Sequence, residues 1–352
     1  MHATTVAVDL AKEVFELAFA ASDQRVSERR RVSRAGFARA FANRGPLRIV
    51  MEACSSAHFW ARHFSAQGHT VRLLPARDVR PYVRRNKTDR TDAAGLLEAD
   101  RCAQIDTVPI KSTAQQGVQA LHRVREQLKA QRTATSNLLR GILREFGIVI
   151  PVGAAKVRPA ALLALADADN ELPMPLRHTL GELLEQLGAL TQGMDAIEQR
   201  LQTVASDDPA CERYQQVPGI GLLTATALSA SVGTLDRFRS GRHFSAWLGL
   251  TPREHSSGNR RRLGRISKRG DGYLRTLLIH GARAALHAAQ QRRRRGQPLT
   301  RLQAWAVERH ARIGHNKAAV ALANKMARRL WAMEHHRTAF DPNHLSASPR
   351  NA

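Results

Sequence analysis

The chain has 352 residues, 43% of them hydrophobic, and its 55 Lys and Arg against 30 Asp and Glu leave a net charge of +25. Such a field selects a polyanionic partner, nucleic acid first. Cys54, Cys102 and Cys211 form no CxxC pair, which argues against a disulfide framework or a zinc site, and no apolar run reaches the length of a transmembrane helix.

The length allows two or three packed units. The charge is uneven along them. Residues 1–108 hold 18 Lys and Arg against 12 Asp and Glu, residues 109–238 hold 13 of each, and residues 239–337 hold 23 against 4. The opening residues read as a strand rather than a secretion signal, so a bacterial, cytoplasmic, nucleoid-associated protein is expected.

Thr4 to Asp9 is an apolar strand that reaches a carboxylate, and Val14 to Ala20 alternates like its partner. Arg48 to Met51 is a second apolar run, ending on Glu52. A turn through Cys54 and His58 leads into a helix, and Thr70 to Leu74 is a further strand. This alternation predicts an α/β unit with helices packed on a sheet. Asp9 and Glu52 both fall at carboxyl ends of strands, where open sheets place their sites. Next comes Asn86-Lys87-Thr88-Asp89-Arg90-Thr91-Asp92-Ala93, the start of a helix with Asp89 and Asp92 on one face. Four carboxylates in a basic chain suit a hard divalent cation acting on a phosphodiester. Taken singly, each also reads as a helix cap, a turn residue or a solvated charge.

Two long amphipathic helices are predicted for residues 112–146 and 176–204, the second with a near-heptad apolar seam. A proline-containing linker with a short helix near Ala160 to Leu165 joins them. They form either an antiparallel hairpin or a pairing with a second copy. The last unit opens with Pro218-Gly219-Ile220-Gly221 before a helix, a turn that can present amides to a phosphate. A Ser/Gly/Arg-rich loop follows, containing Arg253, Ser256, Ser257, Gly258, Arg260, Arg261, Arg262, Arg265, Lys268 and Arg269. Arginines there suit bidentate phosphate contacts, and a serine hydroxyl among them can attack phosphorus; a basic clamp without chemistry is the competing reading. Helices are predicted over residues 273–289 and 316–334, the latter as core, with Arg292 to Arg295 in a loop and the segment from Arg337 unstructured.

Taken in order, Val8-Asp9, Met51-Glu52-Ala53, the Asn86 to Ala93 segment, Val217 to Gly221, Gly249-Leu250-Thr251-Pro252, Ser256-Ser257-Gly258 and Ser267 to Gly270 resemble the DEDD-type insertion-sequence transposases, RuvC-like recombinases guided by a bridge RNA. The resemblance spans nearly the whole chain. It implies an RNase H-like, RuvC-type domain over residues 1–108, a helical coiled-coil arm over 109–210, a mainly helical C-terminal transposase domain over 211–338 and a flexible tail. It further implies that Asp9, Glu52, Asp89 and Asp92 are catalytic and hold Mg²⁺. Ser257, with Ser256 as the alternative, would be a nucleophile forming a 5′-phosphoserine link to DNA. Lys87, Arg90 and the basic residues of the serine loop would grip nucleic acid. The implied partners are double-stranded DNA at the element ends and target, a guide RNA, and further copies of the chain in a dimer or tetramer. Two alternatives stand beside it: a metal-dependent junction-resolving nuclease in which water attacks, and a non-catalytic basic nucleic-acid-binding protein.

Overall fold

Strict alternation along Val6, Ala7 and Val8 places successive side chains on opposite faces of a central strand, and both faces are buried. The computed structural model describes residues 4–21, 25–42, 44–83 and 89–344, apart from the side chains of Asp89 and Arg90. Two compact units result, Met1–Ala114 and Gln115–Ala352.

The first unit is a five-stranded sheet in the order β3-β2-β1-β4-β5. Its strands are β1 (Thr5–Leu10), β2 (Val14–Ala20), β3 (Val26–Ser33), β4 (Arg48–Glu52) and β5 (Thr70–Leu74). β1 pairs antiparallel with β2 and parallel with β4. One face, carrying Val6, Val8, Phe15, Leu17, Ile49 and Met51, packs on helix α1 (Ala57–Ala66) and an aromatic cluster that includes Phe37, Trp60 and Phe64. The other face carries Ala7, Ala18, Val50 and Leu74. After the short α2 (Ala76–Val79), helix α3 (Asp89–Arg101) lays Ala93, Leu96 and Leu97 on that second face. Small residues on the strands let the helix approach closely.

Strand β3 is a feature that apolar patterning does not predict. Its central residues Ser27 to Arg31 are polar on both faces, and it is an edge strand, where charge protects against further pairing.

In the second unit, α4 (Thr113–Glu145) and α6 (Met174–Ser206) form an antiparallel hairpin within the chain. The bond from Arg125 Nε to Glu198 Oε1 (2.8 Å) clasps one end. At the other, Leu139 and Leu143 meet Leu180, Leu184 and Leu187 around α5 (Ala154–Ala166). Residues 154–166 thus form a full helix where a shorter one is predicted, with Pro159 inside it.

The remaining helices are α7 (Pro209–Gln215), α8 (Leu222–Val232), α9 (Gly241–Trp247), α10 (Gly272–Arg294), α11 (Arg301–Ile313) and α12 (His315–His336). They share one core with Phe244, Leu278, Leu322 and Leu330 among its members. Two expectations are corrected here, on Arg292 to Arg294 and on the segment after Arg337, and Gly219 gains a packing role. Arg292, Arg293 and Arg294 are helical, in the last turn of α10, where cations oppose the helix dipole. The close approach that Gly219 permits is to α10: a Cβ there would stand 2.4 Å from the carbonyl oxygen of Gly281, so this turn is a packing device. The segment after Arg337 is docked through residue 344. Phe340 packs on the core, the Leu302 amide donates to the Pro342 carbonyl (3.2 Å) and the Arg301 amide to Asn343 Oδ1 (3.1 Å). Among the described residues no helix is long and apolar enough to cross a membrane.

Buried histidines make both units sensitive to acid. In the first, the Lys111 amide donates to Nδ1 of His58 (3.3 Å) and the Leu47 amide to Nδ1 of His69 (3.1 Å), bonds that require unprotonated nitrogens. In the second, His122 sits between Tyr273 Oη (2.9 Å) and Thr226 Oγ1 (3.0 Å). Burial, assisted by Lys111 and Arg62, depresses His58 from 6.5 to about 4; burial, assisted by Arg125, takes His122 to about 4 as well. Below 6.5 the unfolded chain takes up protons that the folded chain refuses, so stability falls as pH drops from 6.5 towards 4 and is unaffected by these groups above 6.5. The unfolding midpoint measured at successive pH values should decline through that window. A His122→Leu/His58→Leu double variant should show a flatter profile.

Candidate active site

The carboxylates of the first unit are placed by strand register. Ala7 and Val50 face α3, so Asp9 and Glu52, two residues further along β1 and β4, face it too. Asp9 is paired across β1–β2 with Glu16, and Glu16 across β2–β3 with Arg31, whose Nε lies 3.4 Å from its carboxylate. A row Arg31, Glu16, Asp9, Glu52 thus crosses four neighbouring strands. Glu16 is the member that sequence reasoning missed. It lies within a strand, and only the register brings it opposite Asp9.

Helix direction fixes the remaining pair. Near the end of α3, Asp100 is buried in ion pairs with Arg48 at the start of β4 and Arg72 on β5. The helix therefore runs against β4, with its first turn towards Glu52. Asp92 precedes Asp100 by eight residues, roughly 12 Å of helix. Glu52 follows Arg48 by four, roughly 13 Å of strand, so Asp92 stands level with Glu52. It is half-buried, with Oδ1 withdrawn from solvent, at a helix N-terminus that favours negative charge.

This all-carboxylate set has the oxygen chemistry that a hard cation such as Mg²⁺ takes. Among the described residues, no three acidic, histidine or cysteine side chains are gathered tightly enough to enclose a metal ion. The described structure thus brings Asp9, Glu52 and Asp92 to one end of one sheet face without closing them into a cage. The side chains of Asp89 and Arg90, and the whole of Lys87, lie outside the described residues.

The serine segment of the second unit is a β-hairpin, where the sequence suggests a loop. Strands β6 (Pro252–Glu254) and β7 (Leu263–Ile266) pair antiparallel, and the ladder continues through His255 N–H to Arg262 O (2.9 Å). Ser257 and Arg260 close it with reciprocal backbone bonds of 3.3 and 3.1 Å. Gly258 has φ +53° at the first central position of this two-residue turn, the place where a type II′ turn requires glycine.

The hairpin separates the two serines. Ser256 Oγ donates to Glu254 Oε1 (2.7 Å) and accepts from the Arg262 amide (3.1 Å), so it ties the strands together. Among the described residues, nothing is hydrogen-bonded to the Ser257 hydroxyl, which stands at the tip. Arg253 on β6, Arg260 to Arg262 after the turn, Arg265 on β7, and Lys268 and Arg269 beyond it are all exposed. Of these, Arg261 is paired with Glu254 at 3.5 Å and Arg253 donates to the Ser267 carbonyl at 3.4 Å.

Two family models match the chain. One, a DEDD-type IS110 transposase model, covers residues 6–148; the other, described as the transposase IS116/IS110/IS902 family, covers 211–297. Among curated relatives, a probable family 20 transposase of Pseudomonas aeruginosa is 41% identical over 346 residues, covering 97% of this chain and 100% of that protein. The transposase for insertion sequence element IS1111A of Coxiella burnetii is 39% identical, with 93% of this chain and 88% of the relative covered. The transposase for insertion sequence element IS1328 of Yersinia enterocolitica is 35% identical, with 96% and 99% covered.

Proposed function

This chain belongs to the IS116/IS110/IS902 family of transposases and is a DNA recombination enzyme, and from that premise we propose that it cuts and exchanges strands of an insertion sequence through a serine-linked intermediate. Ser257 is the nucleophile and Asp9, Glu52, Asp89 and Asp92 are the metal-binding set. The observation that carries this reading is the Ser257 hydroxyl, held at the tip of a hydrogen-bonded hairpin among exposed arginines. Ser256, bonded on both sides within the hairpin, is the less available of the two.

In the proposed step, Oγ of Ser257 attacks phosphorus. The Oγ–P bond forms as the P–O3′ bond breaks, the serine proton is lost to a base, and the departing 3′ oxygen is protonated. The DNA stays attached through its 5′ phosphate. A 3′ hydroxyl from the strand to be joined then attacks the phosphoserine, which restores a phosphodiester and the free serine. The arginines of the hairpin hold the phosphate oxygens by bidentate hydrogen bonds. Mg²⁺ bound by the four carboxylates would offset charge at the scissile phosphate. We further propose that carboxylates and serine act together across protomers of a tetramer, and that a guide RNA selects donor and target DNA by base pairing, so that the protein need not read their sequence.

The test is to trap the adduct. Protein incubated with radiolabelled element-end DNA and Mg²⁺, then denatured, should carry label linked through Ser257. Ser257→Ala should lose it entirely, while Ser256→Ala keeps a measurable fraction. An adduct that persists in Ser257→Ala, or cutting that continues in it without any adduct, would refute the serine role; the latter result belongs to a nuclease in which water attacks.

A further inference from the structure

Helix α12 buries one face in the core, through Ala319, Leu322, Met326 and Leu330, but its opposite face is not plain solvated surface. With α9, α11 and the β6–β7 hairpin it walls a groove of about 1180 Å³. Six cations line this groove: Arg242, Arg265, Lys317, Lys325, Arg328 and Arg329. No Asp or Glu is among its lining residues. Among the described residues none of the six makes an ion pair with a carboxylate. Burial and the neighbouring Arg329, Arg328 and Arg309 lower the Lys325 pKa, as expected where like charges crowd without a counter-ion.

Between the cations the wall is apolar, with Leu250, Ile266, Val320 and Ala321, and it carries an indole. Lys325 Nζ rests 4.3 Å from the centroid of Trp305. Arg309 Cζ lies 5.7 Å from the same centroid; the four-carbon stem of Lys325 is flexible, so its ammonium can leave the ring for an anion. Trp331, by contrast, is anchored by its Nε1 bond to the Phe238 carbonyl (2.8 Å).

We propose that this groove binds a single-stranded segment of nucleic acid, with phosphates on the six cations and an unstacked base against Trp305. Charge complementarity selects a polyanion. The apolar wall and the indole select a strand whose bases are free, because a duplex keeps its base faces inside the stack. The groove exceeds the roughly 300–1,000 Å³ of small-molecule sites, so it has room for a strand. Arg265 is shared with the serine hairpin, which makes the two surfaces continuous. This inference rests on the chain being a DNA recombination enzyme, and not on the serine chemistry.

The full-length protein should be irradiated with an oligothymidylate 12-mer carrying 5-iodouracil, and the cross-linked peptides mapped. The expected adduct is on the α11 peptide containing Trp305. The exposed pair Lys317→Glu/Arg328→Glu should weaken binding of the 12-mer by about tenfold or more and flatten its salt dependence. The 12-mer carries no element end and is not cut, so its binding is read independently of strand cutting, which keeps the two tests separate. Oligouridylate that displaces the thymidylate equally assigns the groove to either kind of single strand; tighter binding of uridylate assigns it to RNA, and both sustain the proposal. Cross-links confined to other peptides, unaltered affinity in the double variant, or equal displacement by duplex DNA or by polyglutamate would overturn it.

Discussion

Asp9→Asn is expected to cut strand cleavage on the order of a thousandfold or more, because it replaces a charged oxygen ligand by a neutral one at the centre of the carboxylate row. Asp9 lies between Glu16 and Glu52 on adjoining strands, with Asp92 level with Glu52 on the helix above. Four acidic groups at one end of a sheet repel one another, and a bound cation removes that repulsion. The variant should therefore fold at least as stably as the parent in chelator, and bind DNA through the second unit as before, while failing to cut. Glu16→Gln is the informative comparison. Glu16 is offset by Arg31 and lies one strand further from Glu52, so its loss should reduce cutting by less than about tenfold. The check is single-turnover cleavage of element-end DNA over a Mg²⁺ titration. Equal losses in the two variants would show that general negative charge, and not ligation by Asp9, is what matters.

The second large effect is on stability. Where the chain enters and leaves the serine hairpin, two backbone segments cross almost in contact. A Cβ on Gly270, at φ +105°, would stand 1.9 Å from the Trp247 carbonyl oxygen, and one on Gly249, at φ +71°, 2.2 Å from that of Arg269. Lys268 N–H to Gly249 O (3.1 Å) and Ser267 N–H to Thr251 O (2.8 Å) hold the crossing. Gly270→Ala adds a left-handed backbone penalty to a clash with main chain that cannot rotate away, and should destabilise the second unit by about 3 kcal/mol or more. Gly258→Ala isolates the first cost, since nothing lies within 4 Å of its Cβ position; about 1–2 kcal/mol is expected there. Denaturant unfolding followed by tryptophan emission compares them, because Trp247, Trp305 and Trp331 all belong to this unit. Similar losses in both would mean that the crossing relaxes.

What was legible beforehand follows from how each feature is encoded. Strands β1 and β4 carry continuous apolar runs and β5 is one broken only by Arg72, and Asp9 and Glu52 close the first two at the carboxyl end, so both the elements and the two carboxylates can be read locally. The two long helices show themselves through the spacing of their leucines, but whether they pair with each other or with a second copy does not show. Strand β3 cannot be read this way, because an edge strand's pattern is set by solvent on both sides. The place of Glu16 depends on register, which pairs residues across a turn without leaving a mark in either segment. The serine hairpin is hidden for another reason: its residues are small or charged, and a bond between Ser256 and Glu254 with a glycine turn replaces apolar alternation in holding it. Helix α12 reads as core from its apolar stripe. The same residues also dictate a second face, but that this face is a wall of cations needs the neighbouring helices in place.

The docked segment beyond α12 bears on how copies of such an element decay. Phe340 packs beneath the guanidinium of Arg329, which also donates to the Asp341 carbonyl (2.9 Å), while Pro342 and Asn343 secure the first residues of α11. A reading frame closed by a premature stop at codon 338 would still encode Asp9, Glu52, Asp89, Asp92 and Ser257. It would nonetheless lose the strap that seats Arg329 and the start of the Trp305 helix. An intact set of motif residues is therefore no proof of a living element, and codons 338–344 belong in any survey of which copies can still move.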